Sequence, residues 1–188
     1  MSVKNPVATP ENGLEIKHYR AGFSLFLISQ AVVFLVLIAV RYLIAGSTVG
    51  PYSEWLGALT TVVMLWSALQ AKRANMAADK GDHAAILRRL QGAFWLGVLA
   101  FLLVILTWVG IRAGGYSIKM PSLEVYWVAS GFWLFYVLLG LFVVFAARAR
   151  GIRVGYRPES HWDLEASSRL WSLIALGWVG IWIAFFLI

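Results

Sequence analysis

Long apolar runs broken by short polar stretches dominate this chain. A helix rises about 1.5 Å per residue, so about 20 apolar residues cross a bilayer. Five runs reach that length: about 22–45, 52–71, 90–111, 126–147 and 170–188. Ser24, Ser29, Gln30 and Arg41 are the polar interruptions of the first run. Gly46–Pro51 and Ala113–Pro121 carry Gly, Pro and small polar residues, which mark turns. Ala74–Leu87 is polar and can continue as an interfacial helix, and Arg148–Ser168 is the longest and most charged connection. The pattern predicts an all-α membrane protein: a tail over residues 1–20, then a five-helix transmembrane domain over 21–188.

Composition agrees. Apolar residues make up 61% of the 188 and charged residues only 13%, against about 25% charge in a soluble domain. The net charge of +7 does not indicate nucleic-acid binding, because the basic residues cluster beside apolar spans. Lys4, Lys17 and Arg20 precede the first span. Lys72, Arg73, Lys80, Arg88 and Arg89 follow the second, and Arg148, Arg150, Arg153, Arg157 and Arg169 flank the fourth loop. Thirteen basic residues thus fall on one side, and three (Arg41, Arg112, Lys119) on the other. The positive-inside rule then predicts a cytoplasmic N-terminus and an outside C-terminus. Tyr42, Tyr52, Trp55, Trp108, Tyr126 and Trp127 fall near the outer interface, where amphipathic rings anchor helices. The polar first 20 residues do not read as a cleaved signal peptide.

The spans hold little chemistry. Asp, Glu, Lys and His are missing from their middles, and Gln30 is the nearest polar candidate. Ion-coupled transport uses ionisable groups within the membrane. His18, His83 and His161 all lie in the basic segments, so no pair of histidines can hold a haem between spans. Without cysteine there is no thiolate metal site. No catalytic, metal or cofactor-binding residue is expected. Gly177, Gly180 and Ala184 form a small-residue face for close helix packing. Ser160 and Asp163 give a helix-start signal, and Glu165 near the first turn suits the helix dipole.

Three stretches carry a resemblance. Phe26-Leu27-Ile28-Ser29-Gln30 matches an apolar run ending in Ser-Glu, with Gln30 where the Glu stands. Ser130-Gly131-Phe132-Trp133-Leu134-Phe135-Tyr136-Val137 matches Thr-Gly-Phe-His-Gly-Leu-His-Val, keeping Gly131, Phe132 and Val137, with Trp133 and Tyr136 replacing the histidines. His161-Trp162-Asp163-Leu164-Glu165-Ala166, followed by Trp171 and Trp178, matches a His, an apolar run, Glu-Ala and two tryptophans, with Ser172 and Ala175 replacing a His and an Asp. Together these resemble subunit III of the haem–copper oxidases in its short five-helix bacterial form, over nearly the whole chain after residue 20.

The resemblance implies a non-catalytic accessory subunit in a bacterial inner membrane. It would pack on the catalytic subunit I and other oxidase subunits, support aerobic electron transport, and hold membrane phospholipids. Haem and copper belong to the partner subunits. Arg148, Arg150 and Arg153 are the candidate lipid-headgroup contacts. The lost membrane Glu and His speak against proton relay. A subunit of a nitric oxide reductase assembly and a stand-alone small transporter are the alternatives.

Overall fold

The computed structural model describes residues 10–46, 48, 50–117, 119–156 and 161–187, with side chains from residue 17. It is an all-α bundle: α1 (Pro10–Ala45), α2 (Glu54–Asp79), α3 (His83–Ala113), α4 (Pro121–Arg153) and α5 (Trp162–Trp182), which continues as a π-helical turn at Ile183–Leu187. Helices α2 to α5 form a ring, each packed on its two neighbours, and α1 lies outside it against α4 and α5. The chain is therefore a multi-pass membrane protein built as a helical bundle.

Each helix outruns the apolar stretch that predicts it. Helix α2 runs eight residues past the expected end at Ala71, absorbing part of the polar stretch, and turns sharply through Lys80–Asp82. Gly81 sits there at φ +69°, where a side chain would be strained. The Asp82 carboxylate accepts the Ala85 N–H at 2.9 Å and opens α3. Pro121 opens α4, where its missing N–H costs no helical bond.

Among the described residues, four helical stretches are long and apolar enough to cross a membrane: Lys17–Ala45, His83–Ala113, Pro121–Arg153 and Trp162–Leu187. Helix α2, the expected second span, falls outside that set. The reason lies in the faces of α2. Its inward face is small and partly polar, with Gly57, Thr60, Thr61, Met64, Ser67, Ala71, Ala74 and Ala78 buried. Its outward face is apolar, with Trp55, Leu59, Val62, Leu65, Trp66 and Leu69 exposed. Averaged along the helix, Glu54, Gln70 and the inward hydroxyls dilute the outward apolar stripe.

Those hydroxyls organise the ring. Ser67 Oγ donates to the Ala93 carbonyl of α3 at 2.6 Å and accepts from Trp171 Nε1 of α5 at 2.9 Å. Thr61 Oγ1 donates to the Gly57 carbonyl at 2.9 Å and accepts from Trp178 Nε1 at 3.1 Å. Trp171 is fully buried, and its ring lies over both Gly97 of α3 and Gly140 of α4. A Cβ at Gly97 would fall 2.5 Å from Trp171 Cζ2, and one at Gly140 would also strike the ring. Gly110 of α3, in contrast, faces open space.

Overpacking a close-packed site typically costs about 1–3 kcal/mol. Gly140→Ala should therefore destabilise the protein by about that much, read as a lowered thermal midpoint in detergent. Gly110→Ala should leave the midpoint unchanged or slightly raised, since alanine also favours the helix.

Candidate functional site: the face of α5 and the cleft beside α1

The start of α5 joins the other helices through alternate residues. His161 caps it, and its Nε2 lies 3.1 Å from Asp79 Oδ1 at the end of α2. Asp163 pairs with Arg150 of α4 at 2.5 Å. Glu165 takes Arg20 of α1 on one oxygen, with Nη2 at 2.8 Å and Nε at 3.1 Å, and Arg169 on the other. Arg20 also lies over the Trp162 ring at 5.9 Å, and Phe23 meets that ring edge-on at 5.8 Å. Carboxylates in a first helical turn are favoured by the helix dipole, so Asp163 and Glu165 are suited both to the helix and to their arginine partners. Ser160, the other half of the expected start signal, lies outside the described residues.

Two of the motif tryptophans reach across the ring. Trp171 and Trp178 bind the hydroxyls of α2, as described above. Trp178 also stacks on Trp133 of α4, with centroids 4.4 Å apart, and Trp133 Nε1 donates to the Ile174 carbonyl at 2.9 Å. Gly131 faces Trp108 of α3, and Phe132 packs on Tyr136 at 5.2 Å. Within α1, Ser29 donates to the Phe26 carbonyl at 2.7 Å, and Gln30 Nε2 donates to Ser29 at 3.1 Å. Tyr136 of α4 donates its hydroxyl to Gln30 Oε1. The residues at two positions that depart from the family motifs, Gln30 and Tyr136, therefore bind each other and tie α1 to α4.

The candidate headgroup arginines are dispersed. Arg150 is engaged by Asp163 and lies over the Tyr156 ring at 6.0 Å. Arg148 lines a cleft of about 180 Å³ with Gln91, Phe94, Trp95 and Phe145, and Arg153 is exposed at the last turn of α4. Below them Tyr156 donates its hydroxyl to the Ala147 carbonyl at 2.7 Å. Burial holds that phenol well above its ordinary value, and the Asp163 charge adds to the effect.

The larger opening lies elsewhere. Between α1, α2 and α5 a cleft of about 460 Å³ is lined at its polar part by Lys72, Asn75, Glu165, Ser168, Arg169 and Ser172. Leu27, Leu173 and Leu176 line the rest. Leu173 and Leu176 also line a second, almost wholly apolar cleft of about 260 Å³ between α1 and α5, bounded by Phe34, Ile38, Gly177 and Gly180. The two share a wall and make one amphipathic groove, polar at the basic end of the bundle. Gly177 and Gly180 admit α1 closely: a Cβ on either would lie 2.8 Å from Phe34 or Ile38. Asn75 Oδ1 is shielded there without a hydrogen-bond partner among the described residues. This groove does not stand out in the sequence. Its signal was the spacing of Lys72 and Asn75 at i, i+3 and of Glu165, Arg169 and Ser168, Ser172 at i, i+4, which puts each pair on one helix face.

Replacing Glu165 with Gln removes the charge that holds both Arg20 and Arg169. Exposed ion pairs are weak, about 0.2–1 kcal/mol each, so the fold should persist. Hydrogen exchange over residues 17–30 of α1 should speed up several-fold, while exchange in α2 to α4 stays unchanged. A comparison with protein-family models and with curated proteins finds no match to this chain.

Proposed function

We propose that this chain is a non-catalytic accessory subunit of a respiratory haem–copper oxidase, similar to its subunit III. In this reading it sits in a bacterial inner membrane with the basic end in the cytoplasm. It packs on the catalytic subunit I, which with its partners carries haem and copper and performs aerobic electron transfer.

The observation that carries the reading is the run His161–Trp178. His161, Glu165, Trp171 and Trp178 together match one subunit III motif. In the bundle they bind α2, α1, α2 again and α2 with α4, respectively. Residues that resemble the family motif thus take part in binding the helices together. Two of the residues that depart from it, Gln30 and Tyr136, form a neutral pair. That supports a role in scaffolding over one in moving protons, since a relay uses ionisable groups.

Helix α2 completes the span count in this reading. A three-residue turn places it alongside α3 in the opposite sense, with Ser67 bound to Ala93 and Gln70 bound to Arg89. Its outward apolar stripe suits lipid. The amphipathic groove would then take a phospholipid of the cytoplasmic leaflet. Lys72 and Arg169 lie at its polar end, and a cation near the surface contributes about 1 kcal/mol toward an anionic headgroup.

Purification in mild detergent through a tag on the N-terminal segment tests the proposal. Copurified oxidase core subunits, with haem bands in a redox difference spectrum, are the expected result. A colourless preparation of this chain alone, repeated in gentler detergents, would overturn it in favour of an independent membrane factor. Copurified nitric oxide reductase subunits would reassign the partner.

A further inference from the structure

We propose that the far end of the α2–α5 seam binds the headgroup of a zwitterionic aminophospholipid, whose ammonium sits in a cup formed by Glu54, Trp55, Trp182 and Phe186. These residues, with Ala58 and Leu187, line an opening of about 350 Å³ at the end of the bundle opposite the basic one. The proposal is independent of any oxidase partner.

The cup rests on close packing. Gly57 lets the rings of Trp182 and Phe186 press on α2: a Cβ there would lie 2.9 Å from both Trp182 Cδ1 and Phe186 Cε1. The π-helical turn helps to place the second ring. Ala184, Phe185 and Phe186 are all buried although consecutive, and the wider winding turns a residue through a smaller angle than an α-helix does. Phe186 also packs on Tyr52 with centroids 5.2 Å apart. Trp55, 82% exposed, forms the opposite wall.

Three chemical features point to one ligand class. Ring faces attract an ammonium group, most strongly those of tryptophan. Glu54 adds a carboxylate at the same opening. Trp182 Nε1 is shielded from water and has no acceptor among the described residues, so a donor beside the cup is left unpaired. A phospholipid bearing an ammonium supplies both the cation and the acceptor in one headgroup, whereas a lysine side chain supplies only the cation. The aromatic cup also lies at a helix end, the depth at which lipid headgroups are found.

The test is native mass spectrometry of the full chain titrated with phosphatidylethanolamine and with its N-acetylated form, which lacks the cation. The expected result is tighter binding of the unmodified lipid by about fivefold, a factor within the range of a single exposed cation–π contact or ion pair. Glu54→Gln should weaken that preference by at least twofold. Glu124→Gln, which removes an acid at the same end of the bundle but outside the cup, should retain it. Equal binding of the two lipids by the unaltered protein would overturn the proposal. So would a preference that Glu54→Gln leaves unchanged or that disappears with Glu124→Gln.

Discussion

The hydroxyl of Ser67 joins three helices, and the architecture of the ring turns on it. It donates to the Ala93 carbonyl of α3 and accepts from Trp171 of α5. Lipid offers no water to complete a hydrogen bond, so polar groups within a bilayer are satisfied by other protein groups. Serine is small enough to let α2 and α3 approach closely, as do Ala71, Ala74 and Ala78 below it. The same arrangement recurs elsewhere. Trp178 donates to Thr61, which donates to Gly57, and Trp108 donates to Ser130, which donates to Tyr126. In each case an indole reaches a hydroxyl whose own proton is taken by a backbone carbonyl, leaving the pair satisfied inside the bundle.

This scheme separates two kinds of contact. Around the ring, tryptophans wedge onto glycines and bind hydroxyls deep in the protein. Helix α1 is held differently. It is joined by Arg20 to Glu165 at one end, Gln30 to Tyr136 further along, and Phe34 and Ile38 against Gly177 and Gly180. Between these attachments α1 and α5 leave an apolar groove that widens toward Lys72 and Arg169. The groove is thus a consequence of how α1 is fastened, and a change at Glu165 acts on both.

Much of the helical plan was legible in the sequence, because apolar runs of bilayer length are hard to place in any other way. The ends were legible in part: Ala74–Leu87 could continue as a helix and Asp163 marked a helix start, but the partners of Asp79 and Asp163 on other segments, His161 and Arg150, were not. The small polar face of α2 was hidden too: hydropathy sums a helix over all its faces, and this helix carries its polar groups inward. Glu165 was readable as a first-turn carboxylate, but its partner Arg20 lies 145 residues away, a distance no local pattern spans. Gln30 and Tyr136 were each visible as departures from a motif. Their mutual hydrogen bond required the packing of α1 on α4.

The five-span arrangement we propose requires α2 to cross the membrane although it is the least apolar of the five helices, its hydroxyls facing inward. The chain contains no cysteine, so an introduced thiol is the only one to react. Cysteines placed singly at Ser53, before α2, and at Lys80, after it, can be challenged with a membrane-impermeant maleimide in intact spheroplasts. The account predicts labelling at position 53 without permeabilisation, and labelling at position 80 only once the membrane is opened. Labelling of both positions from the same side would contradict it.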